Sequence, residues 1–149
     1  MAIDEADEVL SILSGGWNDA NTDSKTPTFK LIYDVKRIND SKFQEYDYVL
    51  TYTGFNAIRP AGITGVDQES IRVTIDIRSD GNGEADPRGH ALNVRDEVKR
   101  VIRTQYRQKV ATRYDYINLV SEQDLSDRMK KLYRFVIDVE LVAYCITPT

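Results

Sequence analysis

From residue 132 to 146 every odd position is apolar, running through Tyr133, Phe135, Ile137, Val139, Leu141, Ala143 and Cys145, while Arg134, Asp138 and Glu140 occupy even positions. Side chains alternate faces along a strand, so this period of two predicts a long β-strand with one face against a core. Each large apolar side chain buried there stabilises by about 1.5 to 3 kcal/mol, so the chain is expected to fold around this strand. Ile71, Val73, Ile75 and Ile77 against Arg72, Thr74, Asp76 and Arg78 repeat the pattern and predict another strand with one wet face. Shorter alternations follow at Phe29, Leu31, Tyr33 and Val35, at Tyr46, Tyr48, Leu50 and Tyr52, and at Tyr114, Tyr116, Asn118 and Val120. The turn-like INDSK at 38–42 separates the first two and predicts that they pair as a hairpin, and SEQDLSD at 121–127 reads as the turn before the last strand.

Two segments carry the helical period instead. Ile3, Ala6, Val9, Leu10 and Leu13 form one stripe, with Asp4, Glu5, Asp7 and Glu8 crowding the end that the helix dipole favours for negative charge, and Gly15 and Gly16 ending it. Ala91, Val94, Val98, Val101 and Ile102 form the other, behind Asp86 as N-cap and Pro87 as first helical residue, a pairing that presets a helix start. The polar, Pro27-containing stretch 15–28 and the stretch 55–68, which holds Pro60, Gly62 and Gly65, read as long loops. The result is a single α+β domain over 1–149 in the order αβββαββ, a mainly antiparallel five-stranded sheet carrying two helices on one face.

Composition narrows the function classes. The 149 residues suit one domain, and 41% hydrophobic with 30% charged residues is ordinary for a soluble globular chain. No window reaches the roughly 18 apolar residues of a membrane span, and the acidic opening MAIDEADEVL is unlike a basic secretory leader, so the reading is of a soluble protein, intracellular where it is made, with no membrane partner. Net charge is −4 and the 20 basic residues are scattered, which argues against a phosphate-gripping surface. The lone Cys145 cannot form an intrachain disulfide and falls on the dry face of the last strand, as a small buried hydrophobe would.

Candidate chemistry is sparse. In the run 80–86, DGNGEAD, oxygen-bearing residues alternate as in a calcium loop, but Ala85 stands where that loop needs Gly and Ala91 where it needs a bidentate Glu. Gly81, Gly83 and Gly89 match no phosphate-binding spacing, and Asp80, Glu84 and Asp86 would repel a phosphate. His90 is the only histidine, in the first turns of the second helix, with no Cys or second His to complete a metal site and no nucleophile motif to serve. It reads as a satisfied or solvated helix residue, and no catalytic, cofactor or metal residue is assigned. The nine tyrosines fit cross-strand aromatic pairing, with a protein interface as the other use of Tyr.

The succession IRVTIDIRS, ADPRGHALNVRDEVKRVI, RYDYINLVSEQDL and RFVIDVELVAYCI, behind an acidic N-terminal helix, resembles the tail terminator and tail-completion proteins of tailed viruses. The likeness is best over 70–146 and involves no diagnostic motif. It implies a structural role: a homo-oligomeric, hexameric ring that caps the tail tube, ends its polymerisation and joins it to the head connector. The implied partners are the tail tube protein and neck proteins, with DNA only passing through the lumen, and the implied location is the head-proximal end of the virion tail after synthesis in the host cytoplasm. No cofactor is required. Trp17, Phe55, Ile58, Ile63, Val142 and Tyr144 are the candidate subunit contacts. Another neck component, or a small α+β ligand-binding or enzymatic domain, are the alternative readings.

Overall fold

The computed structural model describes residues 4–32, 47–60, 66–111, 113–127, 129 and 132–146, with 55–57, 59–60 and 145–146 described in their backbone alone. Helix α1 spans Glu5–Gly16, with the Asp4 carboxylate accepting from the backbone N–H groups of Ala6 and Asp7. A short 3-10 turn at Asp19–Asn21 follows, then β1 (Thr28–Leu31), β2 (Asp47–Pro60), β3 (Val66–Ser79), α2 (Pro87–Gln105), β4 (Tyr116–Asp124) and β5 (Tyr133–Ile146). The fold is α+β, with the five strands in one mixed, mostly antiparallel sheet in the order β1-β2-β3-β5-β4.

Both helices lie on one face of this sheet. Ala6, Val9 and Leu13 of α1 and Ala91, Val94, Val98, Val101 and Ile102 of α2 share a core with Val49, Val73, Ile75 and Ile77 and with the odd face of β5 from Phe135 to Ala143. The dry face expected for the last strand is therefore the one the helices cover. Thr51 Oγ1 donates to the Ala6 carbonyl at 2.9 Å and ties β2 to α1. Tyr114 is fully buried just before β4, and its hydroxyl donates to Glu5 at 2.7 Å. Burial first, and the neighbouring Glu5 second, push that hydroxyl far above its usual titration range.

The structure corrects the expected strand pairing, strand lengths and strand faces. β1 and β2 are parallel neighbours, Thr28 facing Tyr48 and Leu31 facing Thr51, so they do not form a hairpin. Alternation reveals a strand but carries no direction, and a parallel pair needs a connection of about a dozen residues or more, which the link between them supplies. The turn at 38–42 and the ends of both alternations, Tyr33, Val35 and Tyr46, lie outside the described residues. The face of β2 turned to the helices is the odd one, with Asp47, Val49 and Thr51 buried, and the tyrosines Tyr48 and Tyr52 stand on the opposite face.

The stretch 55–68 is mostly strand. β2 continues to Pro60 and β3 begins at Val66, leaving a connection at 61–65, and a register shift between Thr53 and Asn56 breaks the period that would have revealed it. A similar shift between Leu119 and Ser121 lets β4 run on to Asp124 through residues whose polarity suggests a turn. The even face of β3 is also drier than its composition suggests, because Asp76 is fully buried between the guanidinium groups of Arg78 and Arg134, each at 3.0 Å. Thr74 in turn donates to Asp138 on β5 at 2.7 Å.

Candidate functional site

The densest polar cluster of the described residues forms where β3 hands over to α2. Asp47 and Ser79 are register partners at the ends of β2 and β3, and Ser79 donates its hydroxyl to Asp47 Oδ1 at 2.6 Å. The chain then turns at Gly81, whose φ of +96° and position allow no side chain, since a Cβ there would sit 2.3 Å from the Pro87 ring. That turn brings Asn82 round to donate to Asp47 Oδ2 at 3.1 Å. Asp86 caps the helix by accepting from Gly89 N–H at 3.1 Å, and Pro87 occupies the first turn. One turn further on, His90 is 1% exposed, with Nε2 2.7 Å from Asp47 Oδ2 and Nδ1 2.6 Å from Asp23 Oδ2. Asp23 comes from the segment after α1, at a left-handed φ of 55°. Asn93 reaches the same Asp23 oxygen at 3.4 Å.

Both ring nitrogens of His90 therefore face carboxylate oxygens, which accept hydrogen bonds when ionised. A neutral imidazole has one N–H and would leave one of these contacts as two acceptors in opposition, so the geometry calls for the doubly protonated ring. Burial pulls the His90 pKa down, but the hydrogen bonds to Asp47 and Asp23 and their charge outweigh it, leaving the pKa above 6.5. The His90 hydrogen bond does most to hold Asp23 below 3.8. Lys25 and Glu84 complete the cluster as an ion pair at 2.8 Å, and Lys25 also donates to the Asn82 carbonyl.

This arrangement is poorly built for nucleophilic chemistry. Ser79 gives its proton to a carboxylate, not to an imidazole, its oxygen accepts from Gly81 N–H at 3.0 Å, and the residue is fully buried. A serine nucleophile needs a free base nitrogen and an approach for substrate. Asp23, Glu84 and His90 bring potential donor atoms within 4.8 Å of one another. However, Asp23 already takes the His90 Nδ1 contact at 2.6 Å and Glu84 the Lys25 ammonium at 2.8 Å, so the set fits a closed network better than a cation cradle.

A second clamp lies one and a half to two turns along α2. Glu97 is 2% exposed and accepts from Arg100, from Asn18 N–H at 2.7 Å and from the Asn21 amide at 2.9 Å. Burial raises its pKa and these donors, led by Arg100, more than reverse that, leaving it below 4.5. Together His90 and Glu97 strap the segment 17–25 along α2. A groove of about 350 Å³ near the other end of that helix, lined by Ile102, Arg103, Tyr106, Ile117, Asn118 and Leu119, is separate from both clamps.

The six contact candidates divide sharply. Trp17 is half-buried, packs edge-on against Phe29 at 5.3 Å and donates to Thr22, so it works inside its own chain. Val142 is fully buried, which removes it as a direct subunit contact. Ile58 is 68% exposed and Tyr144 48%, so of the four candidates with described side chains these two stand at the surface. Phe55 lies in β2 with its side chain outside the described residues, as does the side chain of Cys145, and Ile63 lies outside them altogether. Of the two states expected for His90, satisfied or solvated, the structure shows the first, with Asp47 and Asp23 as partners that the sequence does not single out. The signal for Asp47 was present: it shares the phase of Val49 and Thr51, a carboxylate on a dry face. No protein-family model matches this sequence, and no curated protein does.

Proposed function

We propose that the chain is a structural subunit that joins copies of itself into a closed ring, of the kind that caps the tail tube of a tailed virus and links it to the head connector. The supporting observation is the mismatch between sheet and helices. β2, β3 and β5 each have 14 residues, about 45 Å of strand at roughly 3.3 Å per residue. The 19 residues of α2 cover about 28 Å. Past the reach of α2 the segment after it takes over, with Val110 and Tyr114 in the core and Arg113 paired with Glu69, and the rows at that end of the sheet finish in exposed Ile58 and Tyr144.

Ile58 shares the helix-side face with its partner Glu69, whereas Tyr144 stands on the opposite face with its partner Gln68. A sheet end that presents an apolar residue on one side and an aromatic one on the other suits head-to-tail contact, in which each subunit meets two neighbours through different surfaces. Such a ring asks no catalysis of the chain, and an acidic lumen would let DNA pass without holding it.

Light scattering on the purified protein, with electron microscopy of the same sample, tests the reading. Closed rings support it, and their presence at the head-proximal end of assembled tubes separates a terminator from another neck component. A strictly monomeric protein that never associates with tubes overturns it.

A further inference from the structure

We propose that His90 is a proton-operated latch for the segment around Asp23: doubly protonated, it holds Asp47 and Asp23 together, and on losing one proton it keeps Asp47 and releases Asp23. The inequality of the two carboxylates decides which contact survives. Asp47 has no exposed side-chain surface, and its oxygens are fixed by Ser79 and Asn82 as well as by His90 Nε2. A lone pair set against that buried carboxylate would leave it short of a donor with no water to replace it. The side chain of Asp23 is 37% exposed and exchanges its imidazole donor for water at little cost. The remaining proton therefore stays on Nε2, and Nδ1 turns its lone pair toward Asp23.

The charges facing the ring point the same way. Asp47 approaches from β2, Asp23 and Lys25 from the segment after α1, and Glu84 from the turn before α2, with Asp86 capping the turn of α2 that carries His90. Lys25 and Glu84 neutralise one another, so among the described residues the protonated ring is the cation that both carboxylates meet. Release is local, because Asn18 and Asn21 stay bound to Glu97 and Trp17 stays against Phe29. The Asn93 contact to Asp23, at 3.4 Å, is too long to hold the turn by itself.

His90 is the only histidine of the sequence, so a tag-free, 15N-labelled chain reports its ring without ambiguity. Long-range 1H–15N spectra from about pH 5 to about pH 9 span the range in which an imidazole titrates. The expected result is a ring protonated at both nitrogens beyond pH 6.5, giving way to a neutral form with the proton on Nε2. Amide exchange at 22–25, corrected for its intrinsic pH dependence, is expected to rise about tenfold across that midpoint while β3 and β5 stay protected. Asp23→Asn, at a half-exposed site, is expected to lower the midpoint and flatten the exchange change. A neutral ring protonated on Nδ1, exchange at 22–25 indifferent to the midpoint, or a midpoint unmoved by Asp23→Asn would each overturn the latch.

Discussion

Replacing Asp47 with Ala is the sharpest test of what the buried cluster contributes. The carboxylate accepts from Ser79 at 2.6 Å, from Asn82 at 3.1 Å and from His90 at 2.7 Å, and none of these contacts is open to solvent on the Asp47 side. Its loss leaves a buried hydroxyl, an amide and an imidazole N–H without their acceptor, at about 1 to 3 kcal/mol for each donor that finds no substitute. Ser79 keeps its bond from Gly81 N–H, and Asn82 is half-exposed and regains water, so the full sum is not reached. His90 also sheds its second proton and with it the cost of a buried cation, which places the expected loss at about 3 to 4 kcal/mol. For a chain of this size that corresponds to a fall in Tm of about 6 to 16 °C. Urea denaturation followed by circular dichroism near pH 6, with thermal melts alongside, measures it. A loss under about 1 kcal/mol would show that the network is incidental to folding.

Stability should also depend on pH in a defined sense. The raised pKa of His90 contributes stability that is fully present below 6.5 and fades as pH rises through the folded value, while the lowered pKa of Asp23 contributes above 3.8 and is lost as pH falls through its folded value. Unfolding free energy is thus expected to carry a maximum from this pair between pH 3.8 and 6.5, and a urea series in which His90→Gln leaves the basic limb unchanged would contradict it. Gly81→Ala combines a left-handed φ with a Cβ 2.3 Å from Pro87, and is expected to lower stability by about 2 kcal/mol or more in the same assay. Val142→Asp places a carboxylate at a fully buried position and is expected to unfold the chain, whereas Ile58→Glu and Tyr144→Glu, at exposed positions, should keep native circular dichroism and fail to form rings. Normal ring formation by the Ile58→Glu, Tyr144→Glu double variant would take this end of the sheet out of the interface.

Much of this fold was legible because its longest elements keep one period throughout. β5 alternates without interruption from Tyr133 onward, and α2 announces its start with Asp86 and Pro87, so both were readable to within a few residues. Pattern failed where the backbone changes phase. The shifts between Thr53 and Asn56 and between Leu119 and Ser121 move side chains to the other face within a strand, and each cut a strand short in the reading of the sequence. The parallel pairing of β1 with β2 was hidden for a different reason, since direction is a property of the connection and not of the strand. The histidine cluster was illegible because its members are spread over 68 positions, from Asp23 to His90, and only the pairing of β2 with β3 and the turn at Gly81 bring them together.

The central claim is that the end of the sheet carrying Ile58 and Tyr144 joins copies of the chain into a ring. The most direct measurement is the solution mass of the wild-type protein by light scattering across a concentration series, beside that of the double variant. Wild-type protein is expected at six times the 17.0 kDa of one chain, with the folded double variant at 17.0 kDa. A wild-type mass of 17.0 kDa at every concentration would contradict the account.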